Sequence, residues 1–322
     1  MRLPAGDLSP ADALAILEAP AGALPGIMAR ATAVRRRTFG DTARMCSILN
    51  AQSGACGEDC AFCAQSRRHG AAVASYPLLP SSEILAAHAA ASRFPIERFG
   101  IVTSGRTLAG QDIDRLCALI AAHRDAPVSW CASLGMLGEA QLGRLAAAGL
   151  RRFHHNLETA ESYFPRICTT HTYAQRAATI EAAKGAGLEV CAGGILGMGE
   201  EPRHRVELAF ALRDLGVASI PLNFLVPIPG TPAAAFAAPL APEEILAAIC
   251  MFRLVCPEAE IRVCAGRERA LGPREKDIFA AGATGIMIGG YLTVAGRSVA
   301  EDLAMVREAG MRHEPERLRQ GA

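Results

Sequence analysis

A chain of 322 residues that is 51% hydrophobic can fill the core of one large domain or two ordinary ones, and its net charge of +1 gives no reason to expect nucleic acid or an anionic membrane surface as a partner. Eleven cysteines are too sparse for a disulfide scaffold at this length. The first residues lack the apolar run of a signal peptide and no apolar stretch reaches membrane-spanning length, so the expected setting is reduced and cytoplasmic, with some thiols bound to metal.

Ser9 followed by Pro10 predicts a helix start, running through about Leu17. A second short helix is expected over 27–37. From there short apolar, β-branched runs alternate with helical stretches. Strands are expected at 42–49, 99–104, 128–133, 152–157, 189–196, 219–226, 260–265 and 285–288. Helices are expected between and after them, at 82–92, 113–123, 139–148, 173–186, 202–215, 242–255, 274–281 and 299–309. Eight such β/α units predict a closed (β/α)8 barrel, with an open doubly wound sheet as the alternative. The division read from this pattern is an N-terminal helical extension at 1–40, the barrel at 41–310 and a C-terminal tail at 311–322.

One loop directly after the first strand concentrates the chemistry. Cys56, Cys60 and Cys63 are spaced CxxxCxxC, three thiolates within eight residues. Three soft ligands in so tight a loop suit three corners of a cubane iron–sulfur cluster and leave one iron open. The alternative, structural zinc, usually takes two separated pairs and four protein ligands. With Phe62 just before the third cysteine, the motif resembles the signature of the radical S-adenosylmethionine enzymes. That resemblance implies a [4Fe-4S] cluster whose open iron takes the amino and carboxylate groups of S-adenosylmethionine, and whose electron cleaves it to a 5′-deoxyadenosyl radical.

Several strands carry polar or sulfur side chains two residues apart, hence on one face. Ser129, Cys131 and Ser133 form one such set; His154, Asn156 and Glu158 another; Arg262 and Cys264 a third. A lumen of this kind is a poor hydrophobic core and a good wet site.

Segments in order along most of the chain resemble one family, biotin synthase: CSILNAQSGAC at 46–56, CAQS at 63–66, WCASLG at 130–135, HNLET at 155–159, TTHTY at 169–173, VCAGGILGMGE at 190–200, LNFLVPIPGTP at 222–232, IRVCAGR at 261–267 and GGYLT at 289–293. The resemblance implies insertion of sulfur into dethiobiotin at carbons 9 and 6, with two S-adenosylmethionines spent per biotin. It implies that Asn156 and Glu158 hold the ribose hydroxyls, that backbone near Ile195 packs on the adenine, and that His154 and Asn223 meet the ureido ring. Tyr291 to Thr293 would close on the substrate carboxylate. At position 154 the family leads one to expect asparagine. A homodimer and an electron donor such as flavodoxin or ferredoxin are implied as well, with no nucleic acid and no membrane.

The family also needs an auxiliary cluster that supplies sulfur. Cys131, Cys191 and Arg262 match three of its usual ligand positions, whereas Gly100 stands where the third cysteine belongs. Glycine offers no ligand atom. Cys264 is expected to join the set and Cys46 is open between ligand and core. The expectation is a four-iron auxiliary cluster, with a two-iron one as the alternative. Cys117, Cys168, Cys250 and Cys256 are read as small core residues. The competing functions are a sibling barrel enzyme, such as methylornithine synthase or the hydrogenase maturase, and a non-enzymatic iron–sulfur carrier.

Overall fold

The alternation of short apolar runs and amphipathic stretches closes into a parallel barrel. A computed structural model describes residues 7–236, 238–293 and 296–313. Residues 1–6 of the expected extension and 314–322 of the expected tail lie outside the described residues. The strands are β1 Thr42–Gln52, β2 Arg98–Thr103, β3 Ser129–Ser133, β4 Arg152–His154, β5 Glu189–Cys191, β6 Gly194–Leu196, β7 Ser219–Phe224, β8 Glu260–Val263, β9 Gly285–Met287 and β10 Arg312–His313. The helices are α1 Pro10–Leu17, α2 Leu24–Phe39, α3 Ser81–Ala91, α4 Gly110–Ala122, α5 Glu139–Ala148, α6 Tyr173–Gly185, α7 Pro202–Asp214, α8 Pro242–Val255, α9 Arg267–Leu271 and α10 Val299–Glu308.

Strands pair in parallel in the order β1-β2-β3-β4-β5-β7-β8-β9, and β9 returns to β1 from Arg44↔Gly285 to Cys46↔Met287. That closure removes the open-sheet alternative. β5 and β6 share one stave, interrupted at Ala192 and Gly193, so the ten strands make eight positions around the barrel with β10 outside. The break has a steric reason. A Cβ on Gly193 would stand 1.9 Å from the carbonyl oxygen of Pro221, so the backbone passes where no side chain fits.

Some boundaries differ from expectation. β1 continues to Gln52, because its ladder with β2 resumes after an irregularity between Asn50 and Gln52. The β4 ladder stops at His154, and the chain then bonds across to Cys191 and Gly193 until Glu158 turns it with φ +72°. The helix expected at 274–281 is a 3-10 turn, Gly272–Ile278, preceded by the unexpected α9. Gly266 and Gly272, both at positive φ, bracket that short helix. Arg312 and His313 pair with Thr42 and Ala43, inside the stretch read above as a tail.

Helix α8 is buried on all sides, with Ile245 to Val255 covered without exception, the charged Arg253 included. Such a helix needs cover on both faces. The barrel supplies one, and α1 and α2 lie over the other. No single described helix is long and apolar enough to cross a membrane; the N-terminal helices meet that test only together, bent by 108°.

The floor of the lumen is charged. Glu260 accepts from Arg44 at 2.8 Å, Arg152 at 2.8 Å and Arg262 at 3.0 Å. Burial alone would raise its pKa, but Arg262, Arg152 and Arg44 together hold the carboxyl well below the usual range. Arg262 also meets Glu97 at 3.2 Å.

Candidate active site

The three-cysteine loop leaves β1 through a left-handed turn, Gly54 at φ +72° and Ala55 at φ +53°. A Cβ on Gly54 would meet that of Ser75 at 2.8 Å. The loop then closes on itself. Cys56 N–H donates to Gln65 O at 3.0 Å, Arg67 N–H to Cys56 O at 2.9 Å, and Cys63 N–H to Cys60 O at 2.9 Å. It is also tied to the segment before α6: Ala61 N–H donates to Ile167 O at 2.8 Å, and Asp59 accepts from Thr169 N–H at 2.9 Å. Cys56, Cys60 and Cys63 are half-buried free thiols lining one cavity of about 790 Å³. Burial pushes Cys63 up to about 11, and a hydrogen bond with Cys168, then burial, raise Cys60 well above the ordinary thiol. Thiols in this state release their protons to a metal, not to water. The donor set, three thiols from one loop facing a cavity, fits a cubane iron–sulfur cluster.

Cys168 is a core residue as expected, buried with Tyr163, Phe164, Ile167 and Met198, but its thiol also meets polar groups. Its Sγ lies 3.9 Å from Cys60 Sγ, 3.2 Å from Asp59 Oδ1 and 3.2 Å from His171 Nδ1. The Asp59 tie that docks the loop puts Cys168 among polar partners. Cys250 and Cys256 do lie in the hydrophobic core, with Cys117 packed against it.

Asn156 and Glu158 face the same cavity. Asn156 Nδ2 donates to Glu158 Oε2 at 3.2 Å, and its Oδ1 accepts from Gly193 N–H at 3.0 Å. Glu158 Oε1 accepts from Arg176 at 3.1 Å. Burial raises the Glu158 pKa against the pull of Arg176. Phe62 and Ile195 line the cavity beside them. Arg176, on α6, was not singled out from sequence; its only signal was its place three residues after the matched TTHTY segment.

His154, Asn223 and Thr293 also line the cavity. Burial holds His154 at about 4, a neutral imidazole near pH 7. Asn223, on β7, bridges β6 and the segment after β8: Nδ2 donates to Gly194 O at 3.2 Å and Oδ1 accepts from Ala265 N–H at 3.1 Å. One N–H and one lone pair remain for a ligand. Thr293 is exposed at the rim, near Tyr291, whose hydroxyl donates to Glu268 at 2.6 Å.

Cys46, Cys131, Cys191 and Cys264 converge in the lumen, each lining the cavity. Burial, with Cys191 next, pushes Cys131 up to about 12. Burial raises Cys264 further, and the nearby Cys46 and Cys191 add to the rise. Arg262 keeps two nitrogens on Glu260 and Glu97, while its buried Nη1 has no partner. Thiols from four staves and an orphaned N–H donor make a donor set that fits an auxiliary cluster. Gly100 sits opposite Cys131 in the ladder, and a Cβ there would lie 3.1 Å from an Ile48 methyl. A side chain at 100 would need that methyl to give way by a few tenths of an ångström.

Residues 52–212 match the model of the radical SAM superfamily, and residues 221–312 that of the biotin and thiamin synthesis associated domain. A biotin synthase of Maridesulfovibrio salexigens is 48% identical over 300 residues, covering 93% of this chain and 91% of its own. One from Nitratidesulfovibrio vulgaris (strain Miyazaki F) is 48% identical over 310 residues, covering 93% and 85%. A crystal structure of methylornithine synthase superposes with a TM-score of 0.82 at 18% identity, over 96% of this chain and 95% of that one. A maturase of the [FeFe]-hydrogenase gives 0.80 at 14% identity, over 94% and 72%. Those two likenesses speak for the barrel fold alone, whereas the sequence relatives carry the lineage: the chain belongs to the biotin synthase family.

Proposed function

We propose that this protein converts dethiobiotin to biotin by radical insertion of sulfur at carbons 9 and 6. What supports the reading is one juxtaposition: a loop of three cysteines and a set of four strand-borne cysteines with Arg262 face a single cavity. A sibling enzyme without sulfur insertion has no use for the second set.

When bound, the [4Fe-4S] cluster with S-adenosylmethionine supplies the electron and the 5′-deoxyadenosyl radical that abstracts hydrogen from an unactivated carbon. Cys56, Cys60 and Cys63 hold that cluster. Asn156 and Glu158 hold the ribose hydroxyls, with Arg176 fixing one oxygen of Glu158 and leaving lone pairs for a diol. Ile195 and Phe62 wall the cofactor side. Asn223 and the neutral His154 read the urea of the substrate, a group that needs both donors and acceptors. Thr293 closes on the carboxylate end. Cys46, Cys131, Cys191 and Cys264 hold the auxiliary cluster, and four thiolates suit a four-iron cluster better than a two-iron one. Arg262, whose buried Nη1 has no partner, would be free to donate to sulfide and need not be a ligand. A flavodoxin or ferredoxin as electron donor and a homodimeric assembly belong to the same proposal and rest on the family resemblance.

The test is anaerobic incubation of the reconstituted protein with S-adenosylmethionine, reductant and dethiobiotin, read by mass spectrometry. Biotin together with 5′-deoxyadenosine is the expected result. 5′-Deoxyadenosine without biotin would move the protein to a sibling reaction.

A further inference from the structure

Seven arginines line the cavity, and six of them face a carboxylate. Arg98 and Arg152 pair with Glu189, Arg262 with Glu260, Arg176 with Glu158, Arg106 with Glu58 and Arg297 with Glu275. The seventh is Arg269. Among the described residues its guanidinium has no ion pair and no hydrogen bond. Its charged neighbours in the chain are engaged elsewhere. Arg267 is fully buried and donates to Glu275 at 2.8 Å, to Asp302 at 2.5 Å and to Met287 O at 2.8 Å. Glu268 accepts from the Tyr291 hydroxyl at 2.6 Å and lies 3.5 Å from Arg267.

The position of Arg269 is fixed by the turn that precedes it. Gly266 leaves the end of β8 at φ +83°, and a Cβ there would stand 2.1 Å from Phe224 O, so α9 starts hard against the end of β7. The same strand carries Asn223, whose Oδ1 accepts from Ala265 N–H at 3.1 Å. Asn223 and α9 are therefore tied together. From Ala265 to Arg269 the backbone spans at most ~14 Å, which lets the two side chains meet opposite ends of one small molecule. Tyr291 joins its own segment to α9 through Arg267 and Glu268. That join brings Leu292, 36% exposed and lining the cavity, to the same rim. An exposed apolar side chain beside an unpaired cation suits an acid with an aliphatic tail. The tail covers the leucine, and the carboxylate accepts two N–H bonds from the guanidinium fork.

We propose that Arg269 binds the carboxylate of the substrate and sets the preference of the site for an acid over a neutral tail. The identity of that acid, dethiobiotin, rests on the sulfur-insertion reading. Thr293 offers a hydroxyl at the same end, and Arg269 offers the charge. The pair forms at an exposed rim, so its effect is modest and sensitive to salt.

The test is anaerobic equilibrium binding to the reconstituted, unreduced protein with S-adenosylmethionine present. Dethiobiotin is compared with its primary-alcohol analogue, and the readout is the ratio of the two dissociation constants. Wild type should favour the acid. In Arg269→Gln that preference should fall by roughly fivefold, the size of an exposed ion pair, with binding of the alcohol unchanged. Arg269→Lys should keep most of it. Added salt should weaken acid binding in the wild type more than in Arg269→Gln. Arg106→Gln, which removes another exposed arginine of the cavity, should leave the ratio as it is in the wild type. Reduction of the wild-type complex should then give biotin. Absence of biotin would overturn the function reading and this proposal with it. Biotin from the wild type, with an unchanged ratio in Arg269→Gln, would overturn the role of Arg269 alone, because a merely solvated arginine leaves the ratio unmoved. A preference lost in Arg106→Gln in place of Arg269→Gln would overturn it equally.

Discussion

Two sets of cysteines face one cavity, and they are built in opposite ways. Cys56, Cys60 and Cys63 belong to one loop, whose shape comes from its own backbone bonds and the turn at Gly54 and Ala55. Cys46, Cys131, Cys191 and Cys264 come from β1, β3, β5 and the end of β8. Their approach depends on every ladder between them. A slip of one residue in any strand would turn its cysteine out of the lumen. The loop is thus a local device carried by the barrel, whereas the lumen set is a product of barrel closure.

The sharpest break in that comparison is at the loop. Cys60→Ala removes one of the three proposed ligands, with no other loop cysteine to take its place. The site-differentiated cubane and all 5′-deoxyadenosine formation should be lost, as measured by iron content and by mass spectrometry under reducing conditions. Reductive cleavage that persisted would show the loop to have another role.

In the lumen the break should be selective. Cys264→Ala should retain 5′-deoxyadenosine formation and lose biotin formation. Iron should fall from about eight to about four per chain on the ligand arithmetic of two four-iron clusters. A clean two-iron Mössbauer component in the wild type, or full biotin synthesis by the variant, would return Cys264 to the core.

The floor beneath the lumen set can be broken without touching a thiol. Glu260→Gln leaves Arg44, Arg152 and Arg262 facing one another around a neutral amide. Removing one partner of a buried ionic group costs about 3–5 kcal/mol. Urea denaturation of the cluster-free chain should show a loss of that size, and a loss below about 1 kcal/mol would mean that water or Glu97 takes over.

Asn223→Ala separates substrate reading from scaffolding. A lost hydrogen bond to a buried urea costs about 1–3 kcal/mol, which should weaken dethiobiotin binding more than S-adenosylmethionine binding. Because Asn223 also bridges Gly194 O and Ala265 N, equal losses for both ligands would assign it to the scaffold.

The smallest effect is one of pH. His154 is held at about 4 by burial, below the unfolded value of about 6.5. Between those values the unfolded chain takes up a proton that the folded chain refuses. The stability from a neutral His154 is therefore complete above about 6.5 and is lost as pH falls toward 4, by roughly 1–3 kcal/mol. His154→Asn should flatten the melting temperature of the cluster-free chain over that window; an unchanged slope would mean that another group titrates there.

The sequence by itself determined the elements that depend on neighbours in the chain. The eightfold alternation, the CxxxCxxC loop after the first strand and the shared face of Arg262 with Cys264 follow from local spacing, since side chains two residues apart in a strand share a face whatever the fold, whereas Asn156 and Glu158 reach the cavity from beyond the end of β4. Only the tertiary structure decided what depends on approach between distant segments. Cys46 joins Cys191 and Cys264 because β9 closes on β1 and so carries the first strand round to the last. Arg262 is taken by Glu260 and Glu97, the latter outside its own strand, which spacing could not reveal. Cys168 does lie in the core, but its polar contacts were illegible for the same reason: the docking of Asp59 onto Thr169 and Thr170 brings a remote carboxylate and the Cys60 thiol to its side, and hydrogen bonds between segments more than a hundred residues apart leave no periodic trace in the chain.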